Sequence, residues 1–199
     1  LACDRGHLEI AKWLMDLCKA PEEQSAMLHA KDDDAFRWAC QKGHIELAKW
    51  LMDLCQAPED KTAMLHAKDD FAFRLACDRG HLEIAQWLWS ECKTPEEQSA
   101  MLHADNDFTF RFACQNGHLK TAKWLRDICS EQEQSEMLHA DDDFAFREAC
   151  KNGHLEMTKW LWAICPHGEQ SAMLHARYDY AFRWACQKGH LEMTKWLWA

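Results

Sequence analysis

The chain has 199 residues, 48% hydrophobic and 28% charged, with a formal net charge of −10 and a pI near 5.6. Nucleic-acid binders need a basic excess to replace phosphate counterions, so this acidic balance speaks against that class. No apolar run approaches the length of a membrane-spanning helix. Valine is absent, while isoleucine and threonine are few; β-branched side chains suit pleated sheets, so an all-α fold is expected.

A Gly-His pair recurs at Gly6-His7, Gly43-His44, Gly80-His81, Gly117-His118, Gly153-His154 and Gly189-His190, at spacings of 37, 37, 37, 36 and 36 residues. A fixed period of this length marks a stacked array, because one such unit cannot bury its apolar face alone. One array of about six units is predicted over 1–199: 1–30 (partial), 31–67, 68–104, 105–140, 141–176 and 177–199 (partial). Leu1 falls inside a first helix and Ala199 inside a second, so further units, and an effector or enzymatic domain, are expected outside this segment.

Each unit reads as three helices. The first, about Asp33 to Lys42 in the second unit, opens on an aspartate that caps free amides. Asp33, Asp70, Asp107, Asp143 and Asp179 each stand four residues before an arginine (Arg37, Arg74, Arg111, Arg147 and Arg183), a spacing that permits ion pairs. Phe36, Ala39 and Cys40 share its core face, and Gly43 ends it. The second helix, about Ile45 to Leu54, carries a broad apolar stripe with a recurring tryptophan (Trp13, Trp50, Trp87, Trp124, Trp160 and Trp196) that is expected to pack in the core. Glu46 and Lys49 form its solvated side. The short third helix is announced by Thr94-Pro95-Glu96-Glu97, a capping box with proline at the first position; Ser130 with Glu133 repeats the box. The acidic runs that follow, such as Lys31 to Asp34 and Asp141 to Asp143, read as solvated turns.

The stretch from Ala35 to Leu51, Ala-Phe-Arg-Trp-Ala-Cys-Gln-Lys-Gly-His-Ile-Glu-Leu-Ala-Lys-Trp-Leu, resembles the helix-turn-helix core of ankyrin repeats. The resemblance covers all six units. It implies an ankyrin-like helical repeat solenoid that binds another protein and has no activity or cofactor of its own. Two departures stand out. The family's Thr-Pro-Leu-His opening is replaced by Asp-Ala-Phe-Arg-type segments, and its Gly-Ala-Asp hairpin finger by the Pro-Glu-Glu-Gln helix, which lengthens the unit beyond about 33 residues. Similar repeats occur in ankyrin proteins of large viruses and of bacteria living inside host cells, so a host-directed targeting role is what the resemblance implies.

Chemistry other than binding finds little support. The twelve histidines and eleven cysteines, His167 excepted, fall at fixed slots repeated from unit to unit, two for each residue type, and a spread ladder does not converge on one ion or one nucleophile. No metal site, cofactor or catalytic centre is expected. Cysteines one repeat apart are too distant for a disulfide, so free, buried thiols in a reducing, intracellular compartment are expected.

Candidate binding residues emerge from the positions at which the units differ. Core positions must be alike, whereas surface positions are free to suit a partner. On the first helix the candidates are Trp38, Gln41 and Lys42; Leu75, Asp78 and Arg79; Phe112, Gln115 and Asn116; Glu148, Lys151 and Asn152; and Trp184, Gln187 and Lys188. In the ankyrin-like arrangement this face lines the concave groove. The slot that accepts Glu148 is expected to be at least partly exposed, and its large apolar residues to be anchors for a partner. The neighbouring row beginning at Phe71 is expected to pack against the preceding short helix. Two alternatives are a helical repeat reading nucleic acid through the Arg37 row and a non-catalytic segment of a larger enzyme.

Overall fold

The computed structural model describes residues 5–199, which contain helices and no strand. The expected helical start at Leu1 lies outside them. The chain forms two compact units, Leu1–Asp105 and Asn106–Ala199. The first holds α1 (Leu8–Leu17), α2 (Pro21–Leu28), α3 (Ala30–Lys42), α4 (Ile45–Asp53), α5 (Pro58–Leu65), α6 (Ala67–Asp78) and α7 (Leu82–Glu91); α8 (Pro95–Gln115) carries the boundary. The second holds α9 (Leu119–Asp127), α10 (Glu131–Lys151), α11 (Leu155–Ile164), α12 (Gln170–Gln187) and α13 (Leu191–Trp198). In the first unit α6 packs against α3, and in the second α12 packs against α10, so first helices stack side by side.

The core runs along the first helices. Phe36, Phe73, Phe110 and Phe146 are fully buried, each beside a buried Ala-Cys pair such as Ala39 and Cys40. The small pair lets the neighbouring helix approach, and the phenyl ring fills the space between layers. The second helices add Leu47, Ile84, Leu88, Leu125 and Leu161 to this core. Their tryptophans do not belong to it: Trp50, Trp87, Trp124, Trp160 and Trp196 are half-buried, and Trp13 is 60% exposed. Trp87 meets Phe36 edge-on at 6.2 Å.

At each corner the glycine adopts a left-handed φ, +85° at Gly43, and the next amide closes the helix, as His44 N donates to Ala39 O at 2.9 Å. The glycine is needed for a second reason. The imidazole of the next unit lies flat on it, so that a Cβ on Gly43 would sit 2.7 Å from His81. His81 Nε2 is 3.0 Å from Gln41 O, and His190 Nε2 is 3.0 Å from Lys151 O. His81 and His190 therefore each tie their repeat to the one before it.

The acidic runs are not merely solvated. Three successive residues per unit take left-handed dihedrals: Lys31-Asp32-Asp33, Lys68-Asp69-Asp70, Asp105-Asn106-Asp107, Asp141-Asp142-Asp143 and Arg177-Tyr178-Asp179. This conformation costs most L-residues about 1–2 kcal/mol each, least for Asp and Asn. Two devices hold it. The third residue's carboxylate meets the preceding histidine, His29 Nδ1 to Asp33 Oδ1 at 2.7 Å and His139 Nδ1 to Asp143 Oδ1 at 2.6 Å. The arginine, instead of pairing with that aspartate, donates to the turn's carbonyls: Arg37 to Asp32 O and Lys31 O, both at 2.9 Å, and Arg147 to Asp142 O and Asp141 O at 2.6 and 2.8 Å. The expected Asp-to-Arg ion pair thus gives way to a histidine–aspartate pair and an arginine latch.

Candidate functional site: an aromatic and cationic face

The variable positions of the first helices form, in each unit, a wall in which rings alternate with cations. In the first unit the Phe71 ring lies 5.5 Å from the guanidinium carbons of both Arg37 and Arg74. Trp38 is 39% exposed, with Lys42 Nζ 5.5 Å from its ring centre. Asp34, Arg37, Trp38, Gln41, Phe71 and Leu75 enclose an open cavity of about 170 Å³. Gln41 and Leu75 are half-buried, and Arg79 is exposed while pairing with Asp78 at 3.2 Å.

In the second unit Phe112 is half-buried, stacked on Phe108 at 3.9 Å and tilted against Phe144 at 5.7 Å. Phe144 stands 5.2 Å from Arg111 and 5.9 Å from Arg147. Arg147 is 5.0 Å from the Tyr180 ring, and Lys151 Nζ lies 5.8 Å from Tyr180 and 5.2 Å from Trp184. Each such contact contributes roughly 0.5–1 kcal/mol where exposed and about 2 where desolvated. Phe71 and Phe144 thus each lie against two arginines of successive repeats, and Tyr180 lies against Arg147. The remaining candidates sit at the rim: Gln115 and Asn116 are half-buried, Asn152 donates to Gln115 O at 2.9 Å, and Gln187 and Lys188 are exposed.

Glu148 corrects the exposure expected of its slot. It is buried, 7% exposed, because its charge is compensated in place: Lys151 Nζ donates to one carboxylate oxygen at 2.9 Å and Tyr180 Oη to the other at 2.7 Å. A buried carboxylate is costly only when unpaired. The contact with Glu148 raises the lysine's pKa, and burial followed by the same contact raises the tyrosine's. Burial, then the charge of Arg177, lowers that of Arg147. The signal for this cluster was present as a glutamate in an aromatic slot, with a lysine one turn later and a tyrosine one repeat on.

Clefts of about 510 Å³ around Pro21, His29 and Cys55 and about 290 Å³ around Pro58, Thr62 and Lys93 lie along the short helices and have no aromatic wall. The thiols are buried except Cys18, half-buried, and Cys186, exposed; among the described residues none is in a disulfide. One cysteine does converge with other donors, a juxtaposition that treating the thiols as a spread ladder missed: Cys92 with His66 and Glu97. No described helix is long and apolar enough to cross a membrane.

Comparison with known proteins bears on the repeat and its fold. A family model of ankyrin repeats matches in three copies, over residues 1–97, 37–134 and 110–199. Among solved structures, an ankyrin repeat family protein from Legionella pneumophila superposes with a TM-score of 0.52 at 20% identity, covering 98% of this chain and 70% of that one. At that identity the likeness is one of fold. No curated relative matches the chain.

Proposed function

The chain belongs to the ankyrin-repeat family, whose repeats mediate protein–protein interaction, and from that premise we propose that it is a recognition module holding a partner protein on the aromatic and cationic face of its first helices. The observation that carries this reading is the wall itself. The fully buried phenylalanines are the same in four successive units, while the slot of Trp38, Leu75, Phe112, Glu148 and Trp184 changes residue from unit to unit. Large rings kept partly accessible, with cations fixed against their faces, suit an interface whose strongest contacts are aromatic.

The chain acts by binding and not by catalysis, and the six units work as one array, a reading supported by their unbroken 36–37-residue register. The arginine row gives the nucleic-acid alternative no help. The head groups of Arg37 and Arg147 are spent on backbone carbonyls of the left-handed turns. The many buried thiols support a reducing compartment.

The test is a partner captured by pull-down from cells producing the protein, followed by affinity measurement with Trp38→Ala, Phe112→Ala and Trp184→Ala. Each folded variant is expected to bind roughly tenfold or more weakly, the cost of losing an interface anchor. Unchanged affinity in all three would overturn the assignment.

A further inference from the structure

We propose that His66, Cys92 and Glu97 form a binding site for one divalent transition-metal ion, zinc being the ion whose preferences they match. The imidazole nitrogen, thiol sulfur and a carboxylate oxygen all lie within 4.8 Å of one another. They come from three points of the chain: His66 closes α5, Cys92 follows α7, and Glu97 lies in the first turn of α8. Tetrahedral zinc with bonds of about 2.0–2.3 Å holds its ligand atoms about 3.5 Å apart, so side-chain movements of roughly 1 Å complete the cluster.

The histidine is already set for this role. Its Nδ1 is 2.6 Å from Asp70 Oδ1, and a ring that donates there presents the lone pair of its Nε2 to an ion. Among the described residues that buried Nε2 has no hydrogen-bond partner, so its lone pair is left for a ligand. A carboxylate behind a ligating histidine is the usual outer support of a metal site. Glu97 gives one oxygen to Lys93 N at 2.7 Å, and a carboxylate keeps further lone pairs for an ion. Cys92 is buried, with Met101 Sδ 3.8 Å from its sulfur. Burial, with the charges of Asp70, Glu97 and Glu91, pushes the Cys92 thiol up to about 12. Ion binding therefore releases one proton, from this sulfur to solvent, and the cation takes over the charge compensation of the thiolate. Mixed nitrogen, sulfur and oxygen donors select zinc over calcium or magnesium, which prefer oxygen alone.

The neighbouring repeats show why this unit differs. Where the repeat is 36 residues long, one residue fewer separates the cysteine from the acid, and Glu169 Oε2 stands 2.8 Å from His139 Nε2 without making a hydrogen bond to it. In the preceding unit Asp60 takes the place of Glu97 with a side chain one methylene shorter. Among the described residues no other three such donors converge as closely.

The experiment uses the whole 199-residue chain, reduced and stripped with chelator, titrated with Co²⁺ as the optical probe and then with Zn²⁺. One equivalent of cobalt is expected to give a thiolate-to-metal charge-transfer band that zinc abolishes, and zinc is expected to raise Tm. Cys92→Ala should remove the band and Cys165→Ala should leave it. Glu97→Gln keeps an oxygen for the helix cap, so with helix content intact by circular dichroism it should weaken zinc binding roughly tenfold or more; Asp70→Asn should cost roughly 10–100-fold. No charge-transfer band, a band that survives Cys92→Ala, or undiminished zinc affinity in Glu97→Gln would overturn the proposal. Should Cys92→Ala not fold, the glutamine variant decides alone.

Discussion

Tyr180 donates a 2.7 Å hydrogen bond to Glu148, a residue of the preceding repeat, while Lys151 holds the other carboxylate oxygen from below. The three groups replace apolar packing at one step of the stack with a compensated charge. Glu148→Ala strips both donors of their acceptor and is expected to cost about 1–3 kcal/mol, with Glu148→Gln milder because it still accepts from the tyrosine. Urea unfolding of the two variants beside Tyr180→Phe checks this. A negligible shift for Glu148→Ala would show that the cluster does not hold the repeats together.

The layers make contrasting demands on their aromatics. Phe110 is fully buried, whereas Trp124 is half-buried. Phe110→Ala should destabilise by about 3–5 kcal/mol, and Trp124→Ala by less, although it deletes the larger side chain. Chemical-denaturation midpoints of the two variants decide, and the reverse order would mean that the indoles, not the phenyl rings, form the core.

Glycine at the corners serves two separable purposes. Gly43 has φ +85° with His81 pressed against it, whereas Gly189 has φ +77° and nothing within 4 Å of an added Cβ. Gly189→Ala should cost only the left-handed strain, about 1–2 kcal/mol, while Gly43→Ala should cost distinctly more because the imidazole must also leave Gln41 O. Thermal unfolding compares them, with Gly168→Ala, at an open position of ordinary φ, as the control. Equal losses at the two corners would remove the histidine from the explanation.

The buried thiols predict alkaline sensitivity. Burial raises Cys150 from 9.0 to about 12, so at pH 10 the unfolded chain has lost a proton that the folded chain keeps. The stabilisation is complete below pH 9 and declines as pH rises towards 12, by at most about 1.4 kcal/mol per pH unit for this one thiol. Cys55 and Cys165, raised to about 11, and Cys92 and Cys129, raised to about 12, act in the same direction. Urea midpoints in reductant should fall between pH 8.5 and roughly pH 10.5. In the native state Cys186, which is exposed, should react with iodoacetamide first. A midpoint that holds steady over this range would contradict the burial assigned here.

The period, the corners, the Phe-Ala-Cys stripe and the capping box at Ser130 were all legible, because each is written by residues within one unit. Ser130 accepts from Glu133 N at 3.3 Å while the Glu133 carboxylate accepts from Ser130 N at 2.7 Å. What stayed hidden depends on a neighbour. Glu148 looked exposed because its compensating tyrosine lies a repeat away. Asp33 and Arg37 looked like partners because i,i+4 spacing presumes a right-handed helix, and the backbone turns left-handed between Lys31 and Asp33. Convergence of His66 with Cys92 and Glu97 likewise arises only from the folding of one repeat against the next.

The left-handed triplet stands twelve residues before the corner glycine in all five units, although the repeats differ in length. The missing residue of the shorter units is taken instead from the step between the second-helix cysteine and the short helix, where a side-chain bond, Gln134 Nε2 to Cys129 O at 3.1 Å, spans the join. A residue inserted after Cys129 should therefore cost little more than the bond from Gln134 Nε2 to Cys129 O, whereas one inserted between Asp141 and Asp143 would unhook Arg147 and His139 together. The rigid corner works as a gauge block for the array, and the slack lies at that single expansion joint.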